Sequence, residues 1–287
     1  MTVVLGPLLA LVSSVGWGTS DYLGGRLSAR LGALRVLLVS QAAATTVLVV
    51  LAVTVGGPLP AGIVATGLLA GVAEAVAIAS LYRGLAVGRA GLVAPASAVS
   101  PVVPLAVGLL AGQVPGPLRT VGLLLVVAGL VLASREPASS DGARSGPDVR
   151  SLGFGLVAGV GFGAYFVLMA EASATSVPWA LALARLAAIS LIGLGVVVAS
   201  RLATVPAVAL RRVDVVRLLA LGLVVVVGDG AYALSSTYGA LVLVAVLAAT
   251  HPVVTVLWAR FAGGERIDGL RWAGIAVTVL GVCAVTA

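Results

Sequence analysis

The chain has 287 residues, of which 61% are hydrophobic and only 9% charged, and its mean hydropathy is +1.21. Soluble domains carry charge on roughly a quarter of their residues, so this composition excludes a water-soluble globular protein. The net charge of +7 does not indicate nucleic-acid binding, because all the basic residues are Arg and they form no continuous basic stripe.

Ten apolar stretches account for nearly all of the chain, and each is long enough to cross a bilayer as a helix. A membrane barrel is disfavoured because runs such as 121–133 show no polar alternation. The predicted spans are 4–22, 34–55, 62–82, 91–111, 118–134, 152–171, 179–199, 216–236, 241–259 and 270–286.

The Arg residues are distributed unequally between the two sets of connections. Fifteen lie after the odd-numbered spans, and Arg119 is the one Arg in a connection on the other side. Cytoplasmic loops of membrane proteins are enriched in Arg and Lys, so the Arg-rich connections are predicted to be cytoplasmic. With an even number of spans, both termini then lie outside, in a multi-pass protein of the cell membrane.

The polar segment 135–150 divides the chain into two related halves, 1–134 and 151–287. Val15-Gly16-Trp17-Gly18 is matched by Val160-Gly161-Phe162-Gly163, and Pro101-Val102-Val103 by Pro252-Val253-Val254. Each half holds five spans, an odd number, so the second half must enter the membrane in the opposite sense. The predicted fold is an all-α integral membrane protein with ten transmembrane helices in two inverted five-helix repeats, an arrangement typical of secondary transporters.

Proline and glycine mark particular points of these spans. Pro95, Pro101 and Pro104 lie in the fourth span and Pro252 in the ninth, so both spans should be kinked, either to line a cavity or only to aid packing. Glycines in the matched first spans of the two halves are predicted to permit close helix contact: Gly16, Gly18, Gly161 and Gly163. The one cysteine, Cys283, is read as a small packing residue.

Several of these motifs resemble the EamA-type transporters of the drug/metabolite transporter superfamily. Gly263-Gly264-Glu265-Arg266 followed by 270–282 is similar to the closing motif of that family's repeat, 94–112 to its fourth helix, and Trp17-Gly18 to its first. Two departures are Gln113, where the family commonly has the Glu matched by Glu265, and the outside termini, where many members have cytoplasmic ones. The resemblance implies a transporter of small metabolites or drugs with ten helices.

An ionisable residue inside the membrane is costly and invites a functional interpretation. Arg185 and Asp229 both lie about 9 to 11 Å from the non-cytoplasmic face, at 1.5 Å per residue, so they are predicted to pair. Arg185 then either anchors an anionic group of a substrate, with Asp229 as counter-ion or proton site, or the pair only fixes helix register.

Glu74 and His251 fall near the middle of the third and ninth spans. A carboxylate and an imidazole at that depth suit proton carriage, since histidine titrates near neutrality. The alternative is structural: Glu74 stays protonated, and His251 donates to a carbonyl freed by Pro252.

Asp21 ends the first span and is predicted to be interfacial, paired with Arg26 or Arg30, although it resembles an acidic position after the Trp-Gly element in some EamA-type relatives. Among the aromatic residues, Trp17, Tyr165 and Tyr232 are predicted to line a pocket. Trp179, Tyr82 and Tyr238 suit the aromatic belt at the membrane interface.

The leading hypothesis is a secondary active transporter that moves small molecules by alternating access, coupled to protons or another ion. No cofactor, metal or catalytic residue is predicted, and a chain without Lys has no Walker-type loop for ATP. The alternatives are a membrane enzyme acting on lipid-linked substrates, disfavoured by one His and one Cys, and a passive pore, for which no filter sequence is visible. The expected partners are a small-molecule substrate and the lipid bilayer, and the chain is expected to act as a monomer or homodimer.

Overall fold

The computed structural model describes residues 2–135, 148–202 and 210–286, and every regular element within those ranges is helical. The helices are α1 (Thr2–Leu31), α2 (Ala33–Val55), α3 (Val64–Val87), α4 (Ala90–Ser97), α5 (Val102–Leu110), α6 (Pro117–Ala133), α7 (Val149–Thr175), α8 (Val177–Leu202), α9 (Arg212–Tyr238), α10 (Leu241–Ala248), α11 (His251–Phe261) and α12 (Gly269–Thr286). Most of the predicted connector 135–150, including Arg144, lies outside the described residues.

Eight helical stretches in the described part of the chain are long and apolar enough to cross a membrane. They include α2, α3, α7, α9 and α12, and α6 is a shorter apolar helix of 17 residues. Large apolar side chains such as Leu124 (63% exposed) and Leu223 (52%) point away from the protein interior, as is expected of surfaces that face lipid rather than water.

The predicted fourth and ninth spans each consist of two helices. Residues 91–111 contain α4 and α5, and residues 241–259 contain α10 and most of α11. The predicted kinks are therefore confirmed, and each is a complete interruption rather than a bend in one helix. Pro101 is the N-cap residue of α5, and Pro252 lies in the first turn of α11, where the missing backbone N–H costs no helical hydrogen bond.

Long helices pair in antiparallel fashion across the two halves of the chain. The C-terminal end of α1 contacts the N-terminal end of α9 through the Arg30–Asp214 ion pair, and Gly6 meets Gly239 at the opposite ends of these helices. In the same way the C-terminal end of α3 contacts the N-terminal end of α7, where the Arg89 backbone N–H donates to Ser151 Oγ at 2.8 Å. Helices α6 and α12 also pack together.

Glycines at the predicted seams lie directly against a neighbouring helix, which confirms that prediction. A Cβ at Gly18 would lie 2.6 Å from the carbonyl oxygen of His251, and one at Gly163 would lie 2.6 Å from that of Ser100. Likewise, a Cβ at Gly16 would lie 2.9 Å from Gly228 Cα, and one at Gly161 would lie 2.9 Å from Ala77 Cβ. His251 and Ser100, the residues contacted by Gly18 and Gly163, are 151 positions apart in the sequence. Gly228 and Ala77, the residues contacted by Gly16 and Gly161, are also 151 positions apart.

Candidate functional site

A guanidinium buried between three helices forms the centre of the site. Arg185 on α8 donates through Nε to Asp229 Oδ2 on α9 at 2.8 Å, and its Nη2 lies 2.6 Å from the same oxygen. Nη2 also lies 2.9 Å from Glu74 Oε1 on α3. All three residues are buried, with exposed fractions of 3% for Arg185, 1% for Asp229 and 7% for Glu74. The predicted pairing of Arg185 with Asp229 is present.

Glu74 belongs to this ion cluster, which corrects the sequence interpretation that grouped it by depth with His251. Its Oε1 contacts Arg185, while its Oε2 is buried and has no hydrogen-bond partner among the described residues. Depth along a helix does not specify the neighbouring helix, so the sequence could not place Glu74 beside Arg185. The close approach of α3 to α8 depends on Gly71, where a Cβ would lie 2.7 Å from the carbonyl carbon of Ala184.

Gln41 on α2 is a fourth member of the cluster that the sequence analysis missed. Arg185 Nη1 donates to Gln41 Oε1 at 2.7 Å, and the Gln41 side chain is buried. The signal was the single amide side chain of α2, within the apolar span 34–55. Arg185 therefore directs Nε, Nη1 and Nη2 at protein acceptors, and in this conformation it is a counter-ion rather than the open anion site that was considered from the sequence.

Trp17 connects the ion cluster to a group of aromatic rings. Its Nε1 donates to Asp229 Oδ1 at 2.9 Å, and the indole fits only because residue 228 is Gly, where a Cβ would lie 2.6 Å from Trp17 Cδ1. The rings of Tyr165 and Tyr232 lie 6.2 and 5.7 Å from the indole, measured between centroids. Tyr232 is fully buried, and its hydroxyl donates to the carbonyl oxygen of Phe166 at 2.7 Å.

Asp21 and His251 form a second polar pair. His251 Nδ1 and Asp21 Oδ2 are 3.0 Å apart, joining α1 to the first residue of α11. The structure therefore corrects two interpretations: Asp21 does not pair with Arg26 or Arg30, and His251 Nδ1 does not serve a carbonyl freed by Pro252. Arg26 instead donates to Tyr22, and Arg30 pairs with Asp214.

A cavity of about 520 Å³ lies between these helices. Of the residues predicted to bind substrate or a coupling ion, six line it: Trp17, Asp21, Glu74, Tyr165, Arg185 and His251. Asp229 and Tyr232 are not among the described lining residues, because Asp229 is covered by Trp17 and Arg185 and Tyr232 is buried behind the aromatic rings. Tyr82, which was predicted to belong to the interfacial belt, also lines the cavity, and about half of its surface is exposed.

The cavity extends from the ion cluster toward one end of the bundle. Its lining includes Ser28 near the end of α1, Ala33 at the start of α2, Leu85 near the end of α3 and Arg271 near the start of α12. We call this the Arg-rich end, because it carries the loops rich in Arg. On the other side of Arg185 lies the main apolar core, which includes Leu183, Ala184, Ala245 and Leu247, and no described lining residue lies beyond it.

Comparisons with known proteins agree with this architecture. Residues 4–135 and again 150–287 match the model of the EamA-like transporter family. No curated protein matches the chain. A solved structure described as "Crystal structure of protein" shares 19% sequence identity, covers 97% of this chain and 95% of that chain, and has a TM-score of 0.74, which shows a common fold. Because the family model accounts for nearly the whole sequence, this multi-pass membrane protein belongs to the EamA-like transporter family, within the drug/metabolite transporter superfamily.

Proposed function

We propose that the protein is a proton-coupled secondary transporter that moves small molecules by alternating access, and that Glu74 carries the coupling proton. The observation that carries this proposal is the environment of Glu74: it is buried, it lines the cavity, and its Oε2 has no partner among the described residues. Asp229 and Arg185 form the fixed ion pair against which Glu74 changes its charge.

The charge of the ion cluster supports this role for Glu74. One guanidinium faces two carboxylates, so the cluster carries one excess negative charge when both carboxylates are ionised. An uncompensated buried charge costs several kcal/mol, so a proton or a bound cation on Glu74 would stabilise the cluster. Asp229 is the less suitable carrier, because both of its oxygens already accept hydrogen bonds, from Trp17 and Arg185.

The shape of the cavity supports alternating access over a passive pore. The cavity reaches the Arg-rich end, whereas apolar side chains of α8 and α10 pack on the far side of Arg185. A transporter exposes its site to one side of the membrane at a time, whereas an open pore needs a continuous path. The enzyme alternative finds no support in a family of transporters.

Equivalent helix contacts support two inverted five-helix repeats. The contacts of Gly18 with α11 and of Gly163 with α5 correspond under the match between the halves, as do those of Gly16 with α9 and of Gly161 with α3. In this arrangement α4 with α5, and α10 with α11, each count as one broken span, and α1 and α6 complete the ten. The broken spans meet the site at Ala98 and Ala249, close to the centre of the bundle.

We place the Arg-rich end in the cytoplasm and both termini outside the cell membrane, from the distribution of Arg. Cysteine labelling in intact cells tests this orientation. In a Cys283→Ser background, Leu59→Cys in the α2–α3 connection should react with a membrane-impermeant thiol reagent, and Glu265→Cys in the α11–α12 connection should not. The reverse pattern would contradict the orientation.

Proteoliposomes that contain the purified protein test the function. With a panel of small metabolites and drugs, we expect saturable uptake, counterflow and accumulation driven by a pH gradient for at least one compound. Glu74→Gln should reduce gradient-driven uptake to the level of empty liposomes, and the exposed Glu265→Gln should leave it unchanged. Unsaturable flux without counterflow would indicate a pore, and gradient-driven accumulation by Glu74→Gln would exclude Glu74 as the proton carrier.

A further inference from the structure

We propose that the Asp21–His251 pair is a second cation subsite in the same cavity, and that it acts together with Glu74 to bind a linear diamine. This inference rests on the proposed transport function and adds the chemical class of the substrate. Both acceptor sites line the same cavity of about 520 Å³, at different distances from the Arg-rich end.

The Asp21–His251 pair is held in place by a close contact between α1 and the break that separates α10 from α11. Gly18 allows this contact, since a Cβ there would lie 2.5 Å from Val254 Cβ. Thr255 Oγ1 lies 3.2 Å from the Gly18 carbonyl oxygen, to which it donates, and 3.1 Å from that of His251. The Asp21 side chain is 49% exposed and that of His251 27%, so the pair remains accessible from the cavity.

Trp17 lies between the two subsites. Its Nε1 reaches Asp229 in the ion cluster, and its ring meets the His251 ring edge to face, with the centroids 6.0 Å apart. Asp21 follows Trp17 by four residues on α1, so the subsites are offset by about 6 Å along the helix axis. Trp17, Phe162 and Tyr165 give the same cavity an apolar and aromatic surface, which suits an alkyl chain and the cation–π contacts of an ammonium group.

The charges at the two subsites favour two cationic groups over an anionic or zwitterionic ligand, and the second lining Arg, Arg271, lies at the Arg-rich end of the cavity. The deep cation, Arg185, already donates to Asp229, Gln41 and Glu74, so it offers no open site for a carboxylate. The acceptor left over is Glu74 Oε2. At the outer subsite, Asp21 lines the cavity beside His251, so each subsite presents a carboxyl group to one end of the ligand.

Binding of linear diamines and of primary alkylamines of equal chain length to the purified full chain tests this proposal. Isothermal titration calorimetry should show that the best diamine binds the wild type roughly tenfold or more tightly than its matched monoamine, since the second ammonium gains a charge-assisted hydrogen bond. Asp21→Asn should abolish this difference and leave monoamine affinity unchanged. Glu74→Gln should weaken both ligands, and Glu265→Gln should weaken neither.

Several outcomes would overturn the diamine proposal. One is that the wild type binds the diamine and the monoamine with equal affinity, and another is that it binds no amine at all. A third is that a monodisperse Asp21→Asn protein binds the diamine and the monoamine more weakly by the same factor. Retained monoamine binding reports that a variant is folded, and Asp21→Ser replaces Asp21→Asn if the latter aggregates. If a pH gradient drives uptake but the protein does not prefer diamines, the diamine proposal alone is overturned. If diamines bind as expected but a pH gradient drives no uptake, only the proposed function is overturned.

Discussion

Arg185 and Glu74 contact each other at 2.9 Å across the interface of α8 and α3, with Asp229 on the other side of the same guanidinium. Removing the cation leaves two buried carboxylates without compensation. We expect Arg185→Met to lower the free energy of unfolding by about 3–5 kcal/mol, measured as a lower midpoint of thermal unfolding in detergent.

The same ion cluster provides a rescue for that variant. Adding Glu74→Gln and Asp229→Asn to Arg185→Met removes the uncompensated charges, so the triple variant should be more stable than the single one. Arg119→Met, at an exposed position outside the main cavity, is the matched control and should change stability little. An Arg185→Met protein as stable as the Arg119→Met protein would contradict the structural importance of the cluster.

The Trp17 indole has a polar role as well as an aromatic one, because Nε1 donates to the buried Asp229 Oδ1. Trp17→Phe retains a ring but leaves that oxygen without its donor, which should cost about 1–3 kcal/mol of stability. Transport activity should fall as well, because Asp229 would then hold Arg185 less firmly. Trp272→Phe, at a position 41% exposed, should have neither effect, and equal behaviour of the two variants would argue against the role of the indole N–H.

The packing of α6 on α12 depends on backbone contact at glycines. A Cβ at Gly129 would lie 2.5 Å from the Thr278 backbone nitrogen, so Gly129→Ala should force the helices apart and destabilise the protein by about 1–3 kcal/mol. Gly153→Ala in α7 is the matched control, since a Cβ there would have no atom of a neighbouring helix within 4 Å. Thermal unfolding of the two variants should differ, and equal midpoints would contradict this close packing.

Asp148 caps α7 at the Arg-rich end. Its pKa is lowered because its carboxylate accepts hydrogen bonds from the side chain and backbone of Ser151. The unfolded chain binds more protons at this residue than the folded one, so the stabilisation is fully present above the ordinary carboxyl pKa and is lost as the pH falls through the lowered pKa. Ser151→Ala should reduce the loss of stability on acidification below about pH 4, in unfolding experiments over a pH series.

The exposed Ser190→Ala is the control for that experiment. Its hydroxyl donates only within its own helix, to the carbonyl oxygen of Leu186. It should keep the acid dependence of the wild type. The same acid dependence in Ser151→Ala would show that the hydrogen bond from the Ser151 hydroxyl to Asp148 contributes nothing to it.

The polar residues of the site show how far the sequence analysis could reach. The depths of Arg185 and Asp229 predicted their pairing, because both were counted from the same membrane face. Glu74 and Gln41 were not placed with them, because they lie on α3 and α2 and depth gives no information about neighbouring helices. Similarly, Asp21 was paired with Arg26 or Arg30, which lie close to it in sequence, although its partner is 230 positions away.

The sequence by itself determined that the chain is helical and membrane-embedded and that two of its spans are kinked, because these properties follow from local composition and from the backbone chemistry of proline. Only the tertiary structure decided which side chains meet. The rotation of each helix and its choice of neighbours depend on contacts between distant glycines and side chains, such as Gly71 with Ala184 and Gly228 with Trp17. Those contacts bring Glu74 to Arg185 and create the cavity in which the two residues lie.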